Sequence, residues 1–147
     1  MLHIAIENIV TEFNNYLKPL VGFDDKIILI AGDISRHEKQ EDTNDQNAIQ
    51  NNLVLTLVNI EEENTLKNNL PQVEENGRFI QYQPNLHLNL YLLFSANFDR
   101  YSEGLKHISY VLQFFQIHKK LILEEPASKQ RFFLYFNLLN IGFEQLN

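Results

Sequence analysis

The apolar positions Ile6, Ile9, Val10, Phe13 and Leu17 recur three and four residues apart, with Glu7, Thr11, Glu12, Asn14 and Asn15 between them. That spacing places the apolar side chains on one stripe of an amphipathic helix, which Pro19 and Gly22 are expected to end. The run from Lys26 to Ala31 is too short for a stable helix, rich in branched residues and closed by Gly32, so it reads as a buried strand. Residues 35–50 hold many charged and few apolar side chains; with little surface to bury, they are expected to form a mobile loop. A strand is predicted from Asn52 to about Glu61, where Leu53, Val54, Leu55, Leu57, Val58 and Ile60 imply burial on both faces before the chain reaches water at Glu61, Glu62 and Glu63.

Pro71 and Asn76-Gly77 mark a long connection, with a short strand near Phe79 to Gln83. The clearest strand is 86 to 96: Leu86, Leu88, Leu90, Leu92, Phe94 and Ala96 fall on one face, and His87, Asn89, Tyr91 and Ser95 largely on the other. Asp99 is placed to cap a second helix whose stripe is Tyr101, Leu105, Ile108, Leu112 and Phe115, widened by Val111 and Phe114, and which is expected to cover the sheet. Gly104 inside that helix implies either fraying or a close backbone approach. Beyond Pro126, residues 131–141 alternate with apolar side chains on both sides, predicting a strand that is dry on both faces. The order of elements gives an α+β fold with a mixed or mostly antiparallel sheet.

At 147 residues, with 44% hydrophobic composition, the chain has apolar mass for one core, so a single domain spanning 1–147 is expected. The absence of Cys excludes disulfides, thiolate metal sites and cysteine nucleophiles. A formal charge of -7 repels nucleic acid and anionic lipid at long range, so neither is an expected partner. Glu7 and Glu12 interrupt any secretory apolar run at the start, and no stretch approaches the roughly 20 apolar residues of a membrane span.

Chemistry is sparse. His107 and His118 share a helical face but stand about 16 Å apart along it, too far to share an ion. Asp33, His37, Glu38 and Asp42 crowd one stretch, yet most fall in the expected mobile loop, where catalytic groups would lack a supporting shell. Asp24-Asp25 and the Glu61-Glu62-Glu63 run read as solvated charge beside strand ends. The five glycines form no phosphate loop, and no serine has a nucleophile-elbow context. Phe114-Phe115 and Phe132-Phe133 lack interleaved basic residues and read as packing. No catalytic residue, metal site or cofactor is expected.

Four segments together, LVNIEEE at 57–63, HLNLYLLFSANF at 87–98, YSEGLKHISY at 101–110 with FFQ at 114–116, and FEQLN at 143–147, resemble the cap, or tail-terminator, family of extracellular contractile injection systems of the antifeeding-prophage type. The resemblance runs through nearly the whole chain in order. It implies a tail-terminator-like domain that assembles in the cytoplasm as a hexameric ring. That ring sits at the distal end of inner tube and sheath within a phage-tail-like particle, ending their growth and linking them, with no reaction. Relatives continue past FEQLN into a further helix and strand, so a shortened C-terminus is expected. Glu61, Glu62 and Glu63 end one matching segment, and Asn97, Phe98, Asp99, Arg100 and Tyr101 lie at the exit of another; these are the candidate interface residues. The alternatives are a neck or tail-completion protein of a contractile phage, or an enzyme of unknown type using the loop after Asp33.

Overall fold

The computed structural model describes residues 1–21, 28–33, 51–63, 72–81 and 87–139. Its elements are α1 (Leu2–Val21), β1 (Leu29–Ala31), β2 (Asn52–Glu62), β3 (Gln72–Glu75), β4 (Arg78–Gln81), β5 (Leu88–Asn97), α2 (Tyr101–Ile117), β6 (Lys120–Glu124) and β7 (Arg131–Tyr135). The α+β class with mixed and antiparallel strands is as the pattern predicts. The expected loop at 35–50, the beginning of the first strand at Lys26 and the segment 143–147 lie outside the described residues.

By compactness the chain divides into two units, Met1–Thr56 with Phe94–Asn147, and Leu57–Leu93. In the first, α1 buries Ile9, Phe13 and Leu17 of the predicted stripe together with Ala5, while Ile6 and Val10 are half-buried. The helix passes through Pro19 and ends at Val21, so of the two expected stop residues Pro19 does not itself end it. A proline this near the C-terminal end removes one N–H from the final turn only, so the helix closes after it without a break. Asn14 ties α1 to β1: its Oδ1 accepts from the N–H groups of Ile28 (3.1 Å) and Leu29 (2.9 Å), and its Nδ2 donates to the Leu29 carbonyl (2.9 Å).

The sheet order is β1-β2-β5, with β1 parallel to β2 through Leu29↔Leu53, Ile30↔Val54 and Ala31↔Leu55. Strands β2 and β5 are antiparallel, since Asn51 meets Asp99 at one end and the Glu63 N–H donates to the His87 carbonyl at the other. Burial on both faces of β2 holds only for Asn52 to Leu55; Val58 is 56% exposed and Ile60 42%. The second half of the strand therefore carries apolar side chains into water, against expectation.

Phe13 and Phe114, both fully buried, meet edge to face at 5.2 Å, and Phe94 from β5 and Tyr16 from α1 complete the aromatic core. The buried residues of α2 are Gly104, His107, Val111 and Phe114. The predicted stripe is thus split: Val111 and Phe114 are buried as expected and Ile108 and Phe115 half-buried, whereas Tyr101 is 81% exposed and Leu105 and Leu112 are exposed too. Both stripes have helical spacing, and the buried one carries Gly104 against β5, where a Cβ would stand 3.6 Å from that of Ala96, an ordinary contact distance. Gly104 is a buried part of the regular helix, so fraying does not explain it, and the space around it would admit an alanine.

Strands β6 and β7 form an antiparallel hairpin with Leu121↔Leu134 and Leu123↔Phe132 on its inner face. Its outer face pairs Lys120 with Tyr135, Ile122 with Phe133 and Glu124 with Arg131, and all six side chains are exposed. The expectation of a strand dry on both faces fails for that outer face. In the second unit, Asn76-Gly77 makes a tight turn between β3 and β4 rather than a long connection. Both residues have positive φ (54° and 76°), the backbone that a two-residue hairpin turn requires and that Asn-Gly adopts readily.

Candidate functional site

The eight candidate interface residues separate into two groups, one in each compact unit. Glu61 and Glu62 are exposed at the end of β2 and Glu63 is half-buried. Glu61 accepts the Tyr91 hydroxyl at 2.9 Å and the Asn59 amide at 3.2 Å, and Glu63 accepts the Asn89 amide at 3.1 Å. The contacts to Tyr91 and Asn89 are polar pairs between this end of β2 and β5, and that to Asn59 lies within β2. The hydrogen bond to Glu61, with the charges of Glu61 and Glu63, holds the Tyr91 phenol above its ordinary pKa, because ionisation would set phenolate against carboxylate.

Asn97 ends β5, and Phe98 lies flat on the His107 ring at 4.2 Å. Asp99 does not take the expected capping position: the N-cap is Arg100, whose side chain makes no capping hydrogen bond. Asp99 pairs reciprocally with Asn51, whose amide donates to its carboxylate (3.2 Å) and whose Oδ1 accepts its backbone N–H (3.1 Å). Asn51 sits at φ 58°, a left-handed conformation that asparagine tolerates, and so aims its side chain across the sheet end. Tyr101 opens α2 in full contact with solvent.

Phe98 and Tyr101 do come together. With Ala96, Gly104, Leu105 and Ile108 they line a shallow, mostly apolar groove of about 170 Å³. Leu105 and Ile108 were predicted as core and were not counted as interface; the signal that separates the two faces is Gly104, which marks the side of α2 that packs on β5.

His107 and His118 are built into separate ring stacks. His107 is buried between Phe98 and Tyr110, with Nδ1 2.7 Å from the Glu103 carbonyl, and His118 stacks on Phe114 at 4.3 Å. Among the described residues no three His, Asp or Glu side chains converge to hold a metal ion. Of the residues considered around the loop, Asp33 is exposed, while His37, Glu38 and Asp42 lie outside the described residues, as do Asp24 and Asp25. No helix among the described residues is long and apolar enough to cross a membrane.

Fold and surface define a small α+β protein whose candidate polar residues pair across strands and whose apolar side chains stand in numbers on open helix and sheet surface. It belongs to the Pvc16 N-terminal domain family, whose model matches residues 6–147, a family of antifeeding-prophage and contractile injection system proteins. The chain is thereby a contractile injection system component, with partners inside a phage-tail-like particle. No curated protein matches it.

Proposed function

We propose that this chain is the cap subunit of a contractile injection particle: it closes into a hexameric ring on the distal end of inner tube and sheath, stops their growth and ties them together, catalysing nothing. The observation that carries this reading is the family match over residues 6–147. In support, an isolated subunit of this size has little reason to leave Tyr101, Leu105, Leu112, Phe133 and Tyr135 in water, whereas neighbours in an assembly would cover them. Assembly takes place in the cytoplasm, and residues 1–147 act as one tail-terminator-like domain. Glu61, Glu62, Glu63, Asn97, Phe98, Asp99, Arg100 and Tyr101 serve as interface residues, those around Tyr101 through the groove they border.

The test is imaging of particles that carry a tagged copy of this chain. Label confined to one end of tube and sheath supports the cap; label along the sheath, or none on particles while the tagged chain is folded and present, overturns it. Label at a junction with a capsid would instead make the chain a neck or tail-completion protein.

A further inference from the structure

Two exposed sheet faces of this chain have complementary character. On the β6–β7 hairpin, Ile122 (62% exposed), Phe133 (50%) and Tyr135 (68%) share the outer face with Lys120, whose ammonium lies over the Phe133 ring at 4.5 Å and the Tyr135 ring at 5.2 Å. Residues 119–135 carry four cations, Lys119, Lys120, Lys129 and Arg131, against two carboxylates, Glu124 and Glu125, in a chain whose formal charge is -7. Lys129 and Arg131 both lie within 4 Å of Glu124, which offsets that carboxylate further. The hairpin is a basic and apolar island on an acidic protein.

The other face belongs to β2 and β5. Glu61 and Glu63 contact Tyr91 and Asn89, so odd positions of both strands share one side of the ribbon. Val58, Ile60 and Glu62 therefore share the opposite side with Leu88, Leu90 and Leu92. Val58, Ile60 and Leu88 are exposed. Residues 57–63 and 87–93 contain three glutamates and no lysine or arginine. This face is apolar with an acidic end.

We propose that copies of this chain associate head to tail, the outer face of the β6–β7 hairpin of one copy packing on the Val58, Ile60 and Leu88 face of the next, with Lys120 directed toward the acidic end at Glu62. This rests on the self-assembly part of the function proposed above and names its contact. Two antiparallel ribbons of similar width pack face to face at about 10 Å, excluding water from both apolar rows. Opposite net charge selects the unlike pairing: hairpin against hairpin sets cation against cation, and ribbon against ribbon sets carboxylate against carboxylate. Because the two patches differ, the contact is heterologous, the kind from which rings are built.

The chain has no Cys, so single cysteines report contacts cleanly. Full-length Ile60→Cys and Phe133→Cys variants, both at exposed positions, are mixed as free protein and in assembled particles and treated with a short bismaleimide. A cross-linked dimer from the mixture, at least several-fold above that from either variant alone, is the expected result. Lys120→Glu or Glu62→Lys on these backgrounds is expected to lower the yield several-fold, and the charge-swapped pair, Lys120→Glu in one chain and Glu62→Lys in the other, to recover most of it. No mixed dimer in either preparation, equal dimer from one variant alone, or cross-links to sheath or tube protein in its place would each overturn the head-to-tail contact. Tagged chain at particle ends without the cross-link would overturn this contact while leaving the cap intact; the cross-link without end labelling would do the reverse.

Discussion

Asn14 shows how one polar side chain holds an edge element in place. A three-residue strand has few ladder hydrogen bonds of its own, and Asn14 adds three more to its Ile28 and Leu29 backbone from the side facing α1. Asn14→Ala removes all three and leaves partly buried backbone groups unsatisfied, so a loss of about 2–3 kcal/mol is expected in urea unfolding. A change within experimental error would mean that water replaces the amide. None of this was legible in the sequence, where Asn14 is a polar residue between apolar ones and its partners lie 14 and 15 residues away. Tyr91 offers a second test. Its raised pKa means that the folded chain holds the phenolic proton more tightly than the unfolded chain does. The associated stability is fully present below the unfolded tyrosine's pKa and is lost as pH rises through the folded one. Phenolate absorbance is expected to contain a late-titrating component that Glu61→Gln shifts down and Tyr91→Phe removes.

At the scale of the element, α2 separates what periodicity can and cannot determine. Its existence and amphipathic character followed from spacing, but apolar positions spread widely round the helix, and periodicity alone centred the stripe on Tyr101, Leu105, Ile108, Leu112 and Phe115, with Val111 and Phe114 at its margin. Burial selected Gly104, His107, Val111 and Phe114. What decided was tertiary contact with Ala96 and the aromatic rings of Phe13 and Tyr16, information that belongs to other elements. The same limit explains β7, whose alternation was visible while the openness of its outer face was not. The assignment is testable by pairs of substitutions. Phe114→Ala is expected to cost about 3–5 kcal/mol, as for a fully buried aromatic, whereas Leu105→Ser and Tyr101→Ser fall within about 0.5 kcal/mol of the parent. Gly104→Ala meets only ordinary contact distance and gains helix propensity, so a rise of up to about 1 kcal/mol in stability is expected. If Gly104→Ala destabilises strongly, the helix sits closer to β5 than described.

For the whole molecule, the family resemblance carried in four sequence segments located the particle, and the physics of the chain explains why no chemical motif did so: an assembly subunit needs surfaces, and surfaces have no compact signature in sequence. Candidate residues read from matching segments fell in two separate units, and a groove that gathers two of them, Phe98 and Tyr101, is completed by Leu105 and Ile108, which the pattern assigns to the core. A cap stops growth only if it binds the terminal layer of tube or sheath in place of the next subunit, so its binding surface must be apolar enough to compete yet soluble in the free chain. The α2 stripe, exposed and interrupted by Lys106, Ser109 and Gln113, meets both conditions. Particles made without this chain are therefore expected to show a broadened distribution of tube and sheath lengths in electron micrographs. A Tyr101→Ser/Leu105→Ser variant, expected to fold normally by circular dichroism, is expected to reproduce that distribution and to be lost from particle ends. Uniform lengths with the double variant would remove the stripe from the capping surface, and uniform lengths without the chain at all would remove termination from its function.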